Sequence, residues 1–152
     1  MRSNAPDTPS RILYTMIRVG DLDQSIAFYR DGLGMRALRR ETFPEGRFTL
    51  VFMGYGLMGY GDADASPMIE LTWNWDESRY EHGTGYGHIA LGVADVHGAC
   101  LRLKAMGATI LRAAGPMTFA PEETGAREII AFVEDPDGYR IELIGTAQNA
   151  PS

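Results

Sequence analysis

Only one cysteine, Cys100, occurs in the 152 residues, and only one lysine, Lys104. A lone cysteine cannot form an intrachain disulfide, which fits a reducing compartment and predicts a cytoplasmic protein. Its neighbours Leu101 and Leu103 place it on a helix as a buried, unreactive thiol. No apolar run approaches the roughly 18 residues that a membrane-spanning helix needs. The opening MRSNAPDTPS lacks the apolar centre of a secretory signal and reads as a disordered leader, residues 1–10. Positive charge is scarce as well. Lys and Arg number 14 against 20 Asp and Glu, a net charge of −6, which argues against a general surface for nucleic acid or anionic lipid. What is there is ordinary globular composition, 45% hydrophobic and 22% charged, at a length suited to one domain with its own core.

The apolar patterning predicts an α+β chain. Residues 11–20 read as a strand, and Asp21 caps the helix that follows, with Gln24 completing a capping box. Leu22, Ile26, Tyr29 and Leu33 mark one face of that helix, and Gly32 and Gly34 stop it. Strands are expected at 35–41, 47–54 and 67–75, with the glycine-rich segment 55–66 as a loop. A second strand–helix–strand series follows. A strand at 88–93 leads to a helix capped by Asp95 and ended by Gly107, then to strands at 108–112, 127–135 and 138–145. The last two are joined by the turn Asp135-Pro136-Asp137-Gly138.

The two series are one pattern written twice. Tyr14 falls on His88, Val19 on Val93 and Asp21 on Asp95 in a single register. Gly34 then falls on Gly107, and the tripeptide Ile69-Glu70-Leu71 recurs as Ile141-Glu142-Leu143. Two βαβββ modules are therefore expected, about 11–75 and 86–145, within one domain spanning 11–145 and followed by a polar tail, 146–152.

The repeat gives meaning to polar residues that look unremarkable alone. A glutamate in Ile-Glu-Leu ordinarily marks the solvent face of a strand, and a lone strand histidine is ordinarily a satisfied structural group. Here Tyr14 and His88 are mates, as are Glu70 and Glu142. Period-two geometry adds Arg18 to the face of Tyr14 and Asn74 to that of Glu70. Such groups facing inward are costly unless paired, hydrated or bound to a ligand. A divalent metal with mixed carboxylate and imidazole ligands would account for them. On spacing alone, that and a purely structural role both stay open. His82 and His97, the arginines 36, 39 and 40, and the tail carry no comparable signal; the arginines read as a solvated strand face.

TMIRVGDLDQSIAFYRDGLGM, IELTWNW, YGHIALGV and IAFVEDPDGYRIELI closely resemble the bacterial-type glyoxalase I (lactoylglutathione lyase) family of the vicinal oxygen chelate superfamily, over about Arg11 to Ile144. The resemblance implies paired βαβββ modules and a homodimer with active sites between subunits. It also implies a divalent metal held by Glu70, His88 and Glu142, with Tyr14 at the fourth ligand position. That position is histidine in bacterial members and glutamine in the eukaryotic zinc members. A neutral phenol is a weak ligand that must lose its proton to bind well. Arg18 and Asn74 match glutathione contacts, and Glu142 matches the catalytic base. The expected substrate is the methylglyoxal–glutathione hemithioacetal, isomerised to S-lactoylglutathione, with Ni²⁺ or Co²⁺ favoured over Zn²⁺. A second departure is the stretch 115–128, longer and more acidic than is common, with Arg127 its only basic residue. A small-molecule binding protein on the same fold, or a metalloenzyme with another substrate, are the alternatives.

Overall fold

Asp21 and Asp95 start the two helices in the same way. In the computed structural model, which describes residues 5–56 and 66–146, each sits in extended backbone. Each carboxylate accepts a hydrogen bond from the main-chain N–H three residues on, Gln24 at 3.1 Å and Gly98 at 2.9 Å. One orphan donor of each first turn is thereby satisfied. Helix α1 runs Leu22–Ala27 and widens into a π turn over Phe28–Gly32, and α2 runs Val96–Ala105. Past each helix lies a glycine in left-handed backbone, Gly34 at φ 74° and Gly107 at φ 89°, where a side chain would be strained. Asp95→Ala is expected to cost about 1 kcal/mol of stability. The check is a lower urea midpoint with an unchanged slope.

Two four-stranded sheets of identical plan surround these helices. The first module contributes β1 (Tyr14–Arg18), β2 (Arg36–Phe43), β3 (Phe48–Gly54) and β4 (Met68–Asn74), in the order β1-β4-β3-β2. The second contributes β5 (Ile89–Val93), β6 (Ile110–Pro116), β7 (Ile129–Glu134) and β8 (Arg140–Gly145), in the order β5-β8-β7-β6. In each sheet the first strand runs parallel to the last, and the other pairings are antiparallel. The two expected βαβββ modules are present.

Differences from the expected boundaries have local causes. Strand β5 begins at Ile89, so His88 stands just before it; as an edge strand it leaves alternate residues exposed. Strand β6 starts later than expected and runs on to Pro116, because register shifts on either side of Arg112 interrupt its alternation. The Arg112 guanidinium fills that irregularity, donating to the carbonyls of Gly115 at 3.2 Å, Pro116 at 2.6 Å and Ile130 at 3.1 Å. Residues 1–4 of the leader, 57–65 of the glycine-rich loop and 147–152 of the tail lie outside the described residues.

Alternation along the strands sorts the two faces. Ile17, Val51 and Leu71 from the first sheet meet Ala131, Val133, Ile141 and Leu143 from the second in one shared core, with Tyr29 and Leu103 between them. Inside it the Tyr29 hydroxyl donates to Asp135 at 2.7 Å, tying the modules together; burial pushes the Asp135 carboxyl above its usual range. Cys100 is half-buried, and burial pushes its thiol up, away from reactivity. Among the described residues no helix is long and apolar enough to cross a membrane. The opposite face of each sheet carries the polar repeat.

Candidate active site

Glu142 lies in the middle of β8, opposite Ala90 on β5 and Phe132 on β7. From just before β5, His88 places Nε2 3.1 Å from Oε1 of Glu142. The imidazole stands edge-on to the Phe132 ring, centroids 5.1 Å apart. The glutamate side chain is 15% exposed and the imidazole 41%, so a solute can reach both.

The first sheet repeats this arrangement. Glu70 lies mid-strand in β4, opposite Met16 on β1 and Phe52 on β3. Tyr14, two residues before Met16 and so on the same face, stands edge-on to Phe52, again with centroids 5.1 Å apart. Glu70 is only 7% exposed. Burial, then the nearby Glu41 charge, raise its carboxyl above the usual range, opposed by a hydrogen bond from Thr72. Arg39 is no freely solvated strand residue. It lies over the Phe52 ring, 5.5 Å from the centroid, and its Nε donates to Glu41 at 3.0 Å, whereas Arg36 and Arg40 are exposed.

Tyr14, Phe52 and Glu70 thus match His88, Phe132 and Glu142 group for group. The phenylalanines were hidden in the sequence, each inside an apolar run; only the pairings Phe52–Glu70 and Phe132–Glu142 reveal them. Arg39 and Arg112 match too, each at an irregular point of its strand and each opposite the phenylalanine. Among the described residues of one chain, no three His, Cys, Asp or Glu side chains converge where an ion could be held. The chain brings His88 to Glu142, and Tyr14 to the face that bears Glu70. Each module thus carries one copy of the polar cluster, a half-site of the repeat. An imidazole nitrogen beside a carboxylate oxygen is a donor pair suited to first-row divalent cations, so His88 and Glu142 fit such an ion by their chemistry.

Arg18 ends β1 and Asn74 ends β4, on the faces of Tyr14 and Glu70 respectively. Asn74 donates from Nδ2 to the Tyr80 hydroxyl at 3.1 Å, which fixes the amide. A hollow of about 560 Å³ at the module seam, lined in part by Phe28, Met106 and Asp135, contains neither half-site.

Residues 11–143 match the Glyoxalase/Bleomycin resistance protein/Dioxygenase superfamily. The chain belongs to that superfamily. It is 52% identical over 134 residues to the lactoylglutathione lyase of Haemophilus influenzae, covering 88% of this chain and 91% of that one. A probable lactoylglutathione lyase of Synechocystis is 48% identical over 136 residues, covering 90% and 95%. Among solved structures, the trypanothione-dependent glyoxalase I of Leishmania major superposes with a TM-score of 0.73 at 42% identity, covering 92% of this chain and 89% of that one. Glyoxalase I of Zea mays gives 0.79 at 37% identity, covering 90% of this chain and 45% of the maize chain.

The two modules differ in two respects. Tyr14 brings a phenol where the matching half-site brings the His88 imidazole. The connection after β6 exposes Glu122, Glu123 and Phe119. The remaining histidines stand clear of both half-sites: His97 is exposed on α2, and His82 folds inward to stack on Tyr139, centroids 4.1 Å apart.

Proposed function

We propose that this chain isomerises the methylglyoxal–glutathione hemithioacetal to S-lactoylglutathione as a homodimer. Each active site joins the Tyr14–Glu70 half of one subunit to the His88–Glu142 half of the other. The observation that carries this reading is the pair of half-sites built to one plan, each holding one carboxylate. Relatives named lactoylglutathione lyase, at about half identity over most of both chains, support the reaction.

Glu70, His88 and Glu142 would hold a divalent cation, Ni²⁺ or Co²⁺ in preference to Zn²⁺, with Tyr14 at the fourth position. When bound, the cation supplies a Lewis acid that stabilises charge developing on the substrate oxygens. Glu142 takes the proton from the carbon bearing the thioether. The same carboxyl, or Glu70 on the opposite half once the proton has passed to it, returns that proton to the neighbouring carbon. The hydroxyl proton of the first carbon moves to the oxygen of the second, so each turnover leaves both carboxylates as they began. Arg18 grips a glutathione carboxylate, which its planar fork suits, and Asn74 adds a directed amide. No redox partner is needed, because the carbon oxidised and the carbon reduced are neighbours in one molecule. The single cysteine fits a cytoplasmic setting.

The test is to strip the purified protein of metal, reload it with Ni²⁺, Co²⁺ or Zn²⁺, and follow thioester formation from the hemithioacetal. Activity is expected to vanish on stripping and to return most fully with Ni²⁺ or Co²⁺. Thioester formation with none of the three would leave the small-molecule binding protein as the better account.

A further inference from the structure

Arg18 ends β1, an edge strand whose inner side pairs with β4, and Gly20 lies two residues beyond it. Edge N–H and C=O groups of this kind have no strand to bond. Here the second module supplies the partners. The Tyr139 hydroxyl donates to the Arg18 carbonyl at 2.9 Å and accepts from the Arg18 N–H at 3.2 Å. One oxygen of Asp137 accepts from the Gly20 N–H at 2.9 Å, and the other from the Ser25 hydroxyl at 3.3 Å. The main chain of Ser78 packs tightly on the same residue. A Cβ at Gly20 would stand 2.2 Å from the Ser78 carbonyl oxygen, so only glycine fits against the connection between β4 and β5.

Tyr139 is itself firmly held. Its N–H donates to the Asp135 carboxylate at 2.9 Å, and its buried ring is stacked by His82 and met edge-on by Tyr86 at 5.3 Å. Its hydroxyl is the only part that touches the Arg18 main chain in these bonds. We propose that Tyr139 is a positioning residue: across the module boundary it fixes the main chain of Arg18, so that the guanidinium meets a carboxylate of the thiol in one prepared orientation. The proposal rests on the reading of Arg18 as a glutathione contact. Preparing a binding group in advance removes an ordering cost that would otherwise fall on association.

Tyr139→Phe keeps the stacked ring and removes only the hydroxyl. Binding of S-hexylglutathione to the metal-loaded protein, measured by calorimetry, should weaken about tenfold, the scale expected when both main-chain hydrogen bonds that hold Arg18 are given up. KM for the hemithioacetal should rise by a similar factor, with kcat within about twofold of the parent. Tyr29→Phe is the control, since it removes a hydroxyl from the same buried cluster without touching β1. It should lower the melting temperature and leave the affinity unchanged. In an Arg18→Met background, which alone should weaken binding, Tyr139→Phe should add little, because the group it positions has gone. Parent-like affinity in Tyr139→Phe, an equal loss in Tyr29→Phe, or full additivity with Arg18→Met would each overturn the positioning role. Arg18→Met with parent-like affinity would overturn the reading of Arg18 itself.

Discussion

Glu142→Gln is expected to lower turnover of the hemithioacetal by at least about 100-fold, the size typical of losing a general base. The carboxamide keeps the shape of the side chain and an oxygen beside His88, whose Nε2 lies 3.1 Å from the carboxylate in the parent. It cannot accept a proton at neutral pH. Metal content should therefore stay close to that of the parent while kcat collapses. KM should change little, because Arg18 and Asn74 belong to the other module. Steady-state kinetics with metal analysis on the same preparation separates these effects. Near-normal turnover would place the base elsewhere.

Tyr14→His is expected to raise affinity for Ni²⁺ at least about tenfold, because imidazole binds without the deprotonation that a phenol requires. The geometry favours the exchange. Tyr14 stands edge-on to Phe52 as His88 stands edge-on to Phe132, each at 5.1 Å between centroids, so the pocket already accepts an aromatic ring there. Competition with a chelator measures the change, and turnover at limiting metal should rise with it. A variant that fills with metal and still fails to isomerise the hemithioacetal would move the divergence from the metal to the thiol pocket, with the exposed Glu122 and Glu123 as the leading suspects.

The parts of this molecule legible in its sequence are those governed by local chemistry. Asp21 and Asp95 announce the helix starts, Gly34 and Gly107 their ends, and the recurrence of Ile-Glu-Leu exposes the repeat and with it the mates Glu70 and Glu142. What stayed hidden depends on pairing between strands. Phe52 and Phe132 look like core residues until register sets each beside a glutamate. Arg39 looks solvated until it is found lying over Phe52. Strand β6 breaks period two around Arg112, so its full length could not be read from alternation. The clamp on β1 joins residues far apart in the chain, Arg18 to Tyr139 and Gly20 to Asp137, and no periodic signal links them.

A mixture of two damaged chains tests the central claim most directly. Glu70→Gln and Glu142→Gln proteins are each expected to be nearly inactive. If every site joins the first half of one chain to the second half of another, a hybrid dimer of the two variants contains one doubly damaged site and one intact site. Refolding equal amounts together should then restore about a quarter of parental activity, since about half the dimers are hybrid and half their sites are whole. A mixture that stays at the level of the separate variants would contradict an active site shared between subunits.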